Sequence, residues 1–346
     1  MHIKHITALT TALLSTASVA WAGSLNRDAI PAAAQWLVHI DVEAMNGSQV
    51  GACLIKVMQS QEDNPLNTIK AQLGLNLLED LYSLTAYGFG EPPAKGVAIE
   101  VTDEDVSIGA VARPRENTVI LAVTNDAVDK VIAKFSADEQ RYKKITRDGH
   151  TIHAWSDDDG EEEWLLFTQT TKGDARRVVL ASNNADSLLA GIETLLGNAP
   201  SLGGNDDANK LASPRTGSIL FSAANDIGEL TGPRGASAIV QQIDKIAMDL
   251  SEQDGMAKLT LSLRAQSAQA AASITQILQG VIAMATLALD PDAEETASIR
   301  ALAQSLKLSS DGRRMSLGVE QPAEVVCQLL EMLHDGAEIS LDMDHD

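Results

Sequence analysis

A single pattern recurs along this chain and restricts the folds that it can adopt. An apolar run ends in a small polar cluster, and residues with the spacing of an amphipathic helix begin directly after it. The four runs lie at residues 119–123, 178–181, 259–263 and 315–319. Asn and Ser side chains, such as those at the ends of these runs, cap the free N–H groups of a first helical turn. The pattern therefore predicts strands that are followed at once by helices.

The polar junctions fall into two pairs. Asn125 and Asn183 are separated by nearly the same number of residues as Ser267 and Gln321. Each half also opens with a strand and a helix, which we expect at 36–42 and 48–58 in the first half, and at 218–222 and 236–250 in the second. We therefore predict an α+β fold of two related domains, each a mainly antiparallel sheet packed against amphipathic helices.

Turn signals and a polar stretch set the expected domain limits. Asp148-Gly149 and Asp311-Gly312 each predict a hairpin between later strands. Residues 197–217 hold Pro, Gly and Asn without apolar periodicity, which predicts a linker or a surface loop. The expected order is a first domain at 23–200 with an insertion near 64–114, a linker at 201–217, a second domain at 218–337 and an acidic tail at 338–346. The insertion is predicted to hold a helix and a hairpin of residues 97–101 and 106–111.

Residues 268–289 are apolar nearly throughout and were tested as a membrane span. Gln269, Gln276 and Gln279 interrupt the run, and amide side chains are costly inside a bilayer. We therefore expect a helix of the protein core, and no transmembrane segment in the mature chain. The alternative is that this helix lines an apolar cavity for a lipid-like ligand.

The first 22 residues have the organisation of a secretory signal peptide. Lys4 precedes an uncharged apolar run at residues 6–20, and Ala20-Trp21-Ala22 supplies the small-x-small pattern that signal peptidase accepts. No cysteine follows the cleavage point directly, so a lipid anchor is not expected. The sequence predicts cleavage after Ala22, a mature chain that starts at Gly23, and a periplasmic or secreted location.

The formal net charge of −22 limits the partners of the protein. Nucleic-acid affinity comes largely from Lys and Arg that neutralise phosphates, so we expect no nucleic-acid partner. Aromatic residues make up 3% of the chain, which also argues against a surface that stacks nucleobases or sugar rings. We expect the acidic surface to keep an exported protein soluble, with a cation site or a basic partner as the alternative.

Cys53 and Cys327 are the two cysteines of the chain, and export permits one disulfide between them. Their helical positions argue against the bond. Cys53 lies at the edge of the apolar stripe around Leu54, and Cys327 lies off the stripe that contains Val326 and Leu330. Because periodicity does not fix the distance between two helices, the pairing stays open at this point.

The sequence nominates no catalytic, cofactor-binding or metal-binding residue. His150 and His153 are three residues apart on an expected strand, where they point to opposite faces, so we do not expect a metal pair. The acidic run at 157–163 resembles a calcium loop, but an EF-hand register places Trp155 and Leu166 where carboxylates are required. The motifs of serine hydrolases, P-loops and zinc sites do not occur in the sequence. No cofactor is expected.

Four stretches of the mature chain carry a family resemblance. Residues 31–42 look like an opening strand, and residues 177–183 and 306–312 look like later strands. Residues 73–88 are similar to a Gly-x-Asp-Pro-x-x-Asp turn, with Leu77 in place of the proline. Together they resemble a group of exported bacterial proteins of unknown function with repeated strand–turn–helix units. The resemblance implies an exported α+β architecture and no catalytic residues, since no activity is known for the group.

These observations predict a non-catalytic binding or scaffolding protein with a protein partner in the cell envelope. Such a protein needs an exposed apolar or charged groove that the partner covers. The first alternative is a periplasmic carrier of an apolar ligand, which needs a cavity beside residues 268–289. The second is a carboxylate-dependent hydrolase, which needs two acids that face one pocket. The oligomeric state stays open.

Overall fold

The computed structural model describes residues 23–60, 64–90, 99–101, 106–108, 117–156, 163–171, 175–204, 211–225, 240–288 and 305–334. The first half contains β1 (Trp36–Asp41), α1 (Val42–Asn46), α2 (Gln49–Ser60), α3 (Pro65–Leu73), α4 (Leu77–Asp80), β2 (Leu81–Gly88), β3 (Ile99–Val101), β4 (Val106–Ile108), β5 (Thr118–Thr124), α5 (Ala127–Ser136), β6 (Tyr142–Arg147), β7 (His150–Ser156), β8 (Glu163–Thr170), β9 (Arg177–Ser182) and α6 (Ala185–Leu195). The second half contains β10 (Ser218–Asn225), β11 (Ile243–Gln253), β12 (Met256–Ala265), α7 (Ala268–Ala288), β13 (Lys307–Asp311), β14 (Arg314–Pro322) and α8 (Ala323–His334).

Twelve strands form one antiparallel sheet in the order β13-β14-β12-β11-β10-β1-β2-β5-β9-β8-β7-β6. β1 pairs with β10 from Trp36 opposite Ala224 to Ile40 opposite Leu220, and this pairing joins the two halves. The predicted α+β fold with mainly antiparallel pairing is confirmed. The two halves, however, share one sheet instead of forming the two separate sheets that we expected.

Both halves have the same strand order outward from the centre of the sheet. The order β1-β2-β5-β9-β8 in the first half corresponds to β10-β11-β12-β14-β13 in the second. Helices follow at equivalent points, with α5 after β5 and α7 after β12, then α6 after β9 and α8 after β14. The predicted junctions at Asn125, Asn183, Ser267 and Gln321 lie at these points. The hairpin β6-β7 extends the first half beyond β8.

Polar side chains cap two of the helices at the predicted junctions. The Asn184 side chain accepts a hydrogen bond from the N–H of Ser187 at 2.9 Å and caps α6. The Ser267 hydroxyl accepts one from the N–H of Ala270 at 3.1 Å, at the start of α7. A cap of this kind stabilises a helix by about 1 kcal/mol, so these junctions help to fix where each strand gives way to a helix.

The helix that we expected at 236–250 is wrong. Residues Val240–Gln242 form a single 3-10 turn, β11 begins at Ile243, and residues 236–239 lie outside the described residues. A bulge between Ile243 and Lys245 shifts the register of β11 on β12. The bulge brings Ile243 to the same sheet face as Ile246 and Leu250, since Ala265 and Leu263 opposite the first two share a face. Apolar positions on one face of a bulged strand thus imitate helical spacing.

The predicted insertion near 64–114 also needs correction. β2 falls inside this range, yet it lies at the centre of the sheet between β1 and β5. The hairpin expected within the insertion is present as β3 and β4, and residues 97, 98 and 109–111 of that prediction lie outside the described residues. The added segment therefore lies between β2 and β5, where the second half has a tight turn between β11 and β12.

The stretch expected as a linker at 201–217 packs against the protein where the structure describes it. Leu202 and Leu211 are buried in the core of the first half. The Arg27 guanidinium donates hydrogen bonds to the carbonyl oxygens of Leu211 at 3.0 Å and Ala212 at 2.7 Å. Two buried leucines and this clamp attach residues 202, 211 and 212 to the first half. The Arg215 N–H donates to Asp249 of β11 at 2.7 Å, so the end of the stretch packs on the second half.

Helices α1, α2 and α8 pack on one face of the sheet. Val50 of α2, Ala323 of α8 and Ile219 of β10 are buried in the core cluster between them. Cys53 of α2 and Cys327 of α8 form a disulfide, with their Cα atoms 5.6 Å apart. The helical positions argued against this disulfide, and that argument is wrong. The stripe around Val326 faces the sheet, while Cys327 faces α2. The bond connects the two halves of the chain.

Helix α6 packs on the opposite face, which we call the α6 face. It carries a core cluster that includes Leu37, Tyr87, Leu121, Leu180, Leu188 and Ile192. Helix α7 packs its first turns against Ala265 and Met315, but its Ile277 and Met284 are 46% and 65% exposed. The expected core helix is thus a core element in its N-terminal part. Among the described helices, none is long and apolar enough to cross a membrane.

We predict that replacing both cysteines by serine lowers the free energy of unfolding by about 2–5 kcal/mol. The disulfide closes a loop with a sequence separation of 274 residues, so its loss frees a large denatured ensemble. Urea denaturation with and without a reductant measures the effect. Reductant must shift the midpoint of the wild type and leave that of the double variant unchanged; equal midpoints for all samples would contradict the prediction.

Candidate functional site

Strands β12 and β14 alternate between apolar and polar side chains. Leucines at 259, 261, 263 and 317 lie on the face where α7 and α8 pack. Polar and charged side chains occupy the α6 face, namely Lys258, Thr260, Ser262 and Arg264 on β12, and Arg314, Ser316 and Glu320 on β14. The α6 face of the second half is therefore polar, and no described helix packs on it.

Three cations lie side by side across this face. Lys245 of β11 is directly opposite Arg264 of β12, and Arg264 is directly opposite Arg314 of β14. Asp311 of β13 is opposite Arg314 and ends the row. Like charges that are directly opposite on adjacent strands destabilise a sheet by roughly 0.2–1 kcal/mol per pair. The repulsion within such a row is unfavourable for folding. We take it as the first indication of a binding surface.

One carboxylate partly offsets the cationic row. Asp244 Oδ2 lies 3.5 Å from Arg264 Nε and 3.3 Å from Arg313 Nη2. The Arg313 Nε donates to the carbonyl oxygen of Ala265 at 2.8 Å, which fixes its guanidinium. Asp244 is thus a carboxylate shared by two arginine side chains, and it holds both in place.

The row lies in an open depression of about 1000 Å³, which we call the cationic trough. Its charged lining residues are Arg215, Lys245, Arg264, Arg313, Arg314 and Asp311. Five cations and one carboxylate therefore line this surface, in a chain with a formal charge of −22. The lining of the trough is thus mainly cationic, whereas the chain as a whole is acidic.

Hydroxyl and amide groups fill the row next to the cations. Ser262 is opposite Ser316, and Ser316 is opposite Ser309, while Asn225 is opposite Lys245. All four line the trough. No aromatic side chain belongs to the lining among the described residues, so the trough offers hydrogen bonds and charge but no surface for stacking.

The histidines considered from the sequence lie apart from the trough. His150 Nε2 is 2.8 Å from Glu193 Oε1 of α6, and this hydrogen bond lowers the pKa of Glu193. His153 Nδ1 is 2.7 Å from the Tyr142 hydroxyl, on the other face of β7. The prediction that the two rings point to opposite faces is confirmed. In the acidic run, residues 157–162 lie outside the described residues.

The chemistry available to the trough is binding of anions. Arginine guanidinium groups bind carboxylates through paired N–H donors, and serine hydroxyls add further donors. Acid and base catalysis by carboxylates needs two of them, and the described lining supplies Asp311 alone. The site has no motif along the chain, because its residues come from strands that are far apart in sequence. The signal was present in the polar alternation at 258–264 and 314–320.

Comparison with known proteins supplies no family. No protein-family model matches the chain, and no curated protein matches it in sequence. Crystal form IV of TP0453 is 9% identical with a TM-score of 0.44, and covers 89% of this chain and 96% of that chain. Form III is 9% identical with a TM-score of 0.42, covering 89% and 98%, and form I is 8% identical with a TM-score of 0.37, covering 90% and 98%. The function proposed below therefore rests on the trough.

We predict that Arg264→Gln raises the free energy of unfolding by about 0.5 kcal/mol at low salt. The change removes the repulsion of Arg264 by Lys245 on one side and by Arg314 on the other. It also removes the 3.5 Å contact of Arg264 with Asp244, but Asp244 keeps Arg313 as an ion-pair partner at 3.3 Å. The gain must shrink as salt screens the charges. Urea denaturation at low and high ionic strength measures both effects.

Arg147→Gln on the exposed outer strand β6 is the matched control, since it makes the same change in net charge far from the row. A stability change of the same sign and size in both variants would contradict the argument from the cationic row.

Proposed function

We propose that this is an exported, non-catalytic binding protein that holds an acidic segment of a protein partner in its cationic trough. The observation that carries the proposal is the row of Lys245, Arg264 and Arg314, three cations on adjacent strands. Like charges placed directly opposite one another repel, and a bound run of carboxylates relieves that repulsion. A surface on which an anion relieves repulsion between cations is suited to bind an anion.

A peptide fits the chemistry of the trough better than a sugar or a nucleic acid. The described lining offers serine hydroxyls and charges for main-chain and carboxylate oxygens, and lacks aromatic rings for bases or sugars. β13 is also the last strand at its end of the described sheet. Edge strands present unpaired backbone groups to which an extended peptide can add.

Export agrees with two features of the chain. The leader at residues 1–22 has the pattern that signal peptidase accepts, and we infer cleavage after Ala22. The disulfide between Cys53 and Cys327 suits a protein that works outside the reducing cytoplasm. Both support a periplasmic or secreted location.

We further infer that the two halves are related modules. The support is the equal strand order outward from β1 and from β10, with helices after equivalent strands. In this view the second module is the one that binds, because no described helix packs on its α6 face, while that of the first is covered by α6. Superposition of the two halves along β1-β2-β5-β9 and β10-β11-β12-β14 tests the relation.

The trough predicts tight binding of a labelled decapeptide of alternating Glu and Ser. The affinity, measured by fluorescence anisotropy, must fall as salt rises, and the matching Gln/Ser peptide must bind at least tenfold more weakly. Arg264→Gln with Arg314→Gln must weaken binding of the acidic peptide by at least tenfold, since the two cations at the centre of the row are lost.

Lys144→Gln with Arg147→Gln on β6 is the control, because it removes the same charge at the opposite edge of the sheet. Equal affinity for the two peptides, or equal loss in both double variants, would overturn the proposal. The sequence also carries acids at 338–346. A chain that ends at residue 337 and binds the peptide much more tightly would make the protein's own tail the occupant and would equally overturn it.

A further inference from the structure

We propose that the α-amino group created by leader removal binds the buried carboxylate of Asp41, so that the mature N-terminus is itself the ligand of a polar pocket at the centre of the sheet. The proposal rests on the cleavage after Ala22 that is part of the proposed function. The ligand is the α-amino group of Gly23, which the uncleaved precursor does not have.

The pocket lies where the two halves of the sheet meet. It has a volume of about 320 Å³, and it is lined by Ser24, His39, Asp41 and residues 214–218. His39 and Asp41 belong to β1, and Ser218 begins β10, the strand paired with β1. The mature N-terminus therefore enters the structure beside the pairing that joins the halves.

Asp41 is a buried carboxylate that forms no ion pair within the described part of the chain, although Arg215 lines the same pocket. It is 9% exposed, and its Oδ1 accepts a hydrogen bond from the N–H of Ala44 at 2.8 Å, which caps α1. Burial raises the pKa of Asp41, and the neighbouring charge of Glu43 adds to the rise. Among the described residues, no ion pair involves Asp41. A buried carboxylate in this situation is costly unless a positive group comes within reach.

Gly23 already lies against that carboxylate. A Cβ atom added to Gly23 would overlap Asp41 Oδ1 and lie 2.8 Å from Cγ and 2.9 Å from Oδ2. Gly23 is buried, and its φ of +72° is one that side chains disfavour. The Gly23 nitrogen is one bond, about 1.5 Å, from its Cα, so a new ammonium at that position forms within about 5 Å of the carboxylate.

His39 of β1 is the second titratable side chain of the pocket, two residues before Asp41. The ring is 2% exposed, and its Nδ1 lies 2.8 Å from the Thr85 hydroxyl. Burial lowers the pKa of His39 to about 4. A neutral imidazole at neutral pH does not compete with an ammonium for Asp41. Gly23 thus lies against Asp41 before its nitrogen becomes charged.

Leader removal changes the chemistry of this nitrogen from a neutral amide to an ammonium with three N–H donors. The ammonium supplies the missing charge and donates to the oxygen of Asp41 that faces it. Arg215 lines both this pocket and the cationic trough. The docked N-terminus therefore supports one wall of the surface that we propose to bind the partner.

The test uses the chain that begins at Gly23, compared with a chain that carries one additional N-terminal Ala, and with Asp41→Asn. Asn is as good an N-cap as Asp, so this variant keeps the cap on α1 and removes only the charge. NMR titration and the rate of acylation report on the α-amino group. A free α-amino group has a pKa of about 7.7–8.0, and we expect a value at least one unit higher in the chain that begins at Gly23.

Acylation of that chain at pH 7 must be at least tenfold slower than acylation of the extended chain or of Asp41→Asn. An ordinary pKa and equal acylation rates would overturn the proposal, whether or not Asp41→Asn is stable, because the extended chain keeps Asp41. N-terminal mass analysis of the exported protein is the second arm. An exported chain that starts elsewhere than Gly23 also overturns it, while acidic-peptide binding, measured on the same sample, shows separately whether the trough functions.

Discussion

The pairing of β1 with β10 is the interaction on which the other features depend. Each strand would be an exposed edge if the halves were apart, and exposed edges invite pairing with other chains. Their union lets rows of side chains cross from one half to the other, as in Tyr87, Leu37, Ala223 and Ala247 on the α6 face. It also creates the polar pocket against which Gly23 lies, and it carries the apolar face of the first half directly into the polar face of the second.

The trough exists because equivalent helices pack on opposite faces. α6 follows β9 and covers the apolar α6 face, whereas α8 follows β14 and covers the other face. The side chains decide this, since β12 and β14 carry leucines toward α8 and charges away from it. Glu252 of β11 strengthens the arrangement by accepting hydrogen bonds from the N–H groups of Gln49 and Val50 in α2 at 3.1 and 2.8 Å. The disulfide from α2 then fixes α8.

Local patterns allowed correct prediction of local structure. The junctions capped by Asn184 and Ser267, and the two Asp-Gly hairpins, depend on residues close in sequence. β11 was mistaken for a helix because a bulge is invisible to periodicity. The disulfide and the trough could not be derived, since they depend on which strands pair and in what register. Arg264 and Arg314 are 50 positions apart and become neighbours only when β12 pairs with β14.

In the proposed function, a positively charged trough on a negatively charged protein favours a short acidic segment over a long polyanion. At physiological ionic strength charges are screened beyond about 8 Å, so a ligand within the trough responds mainly to its cations. A polyanion that extends past the trough meets the rest of a surface whose total charge is −22, and each added phosphate or carboxylate is repelled. In the proposed function, the acidic composition therefore selects for ligands about the size of the trough.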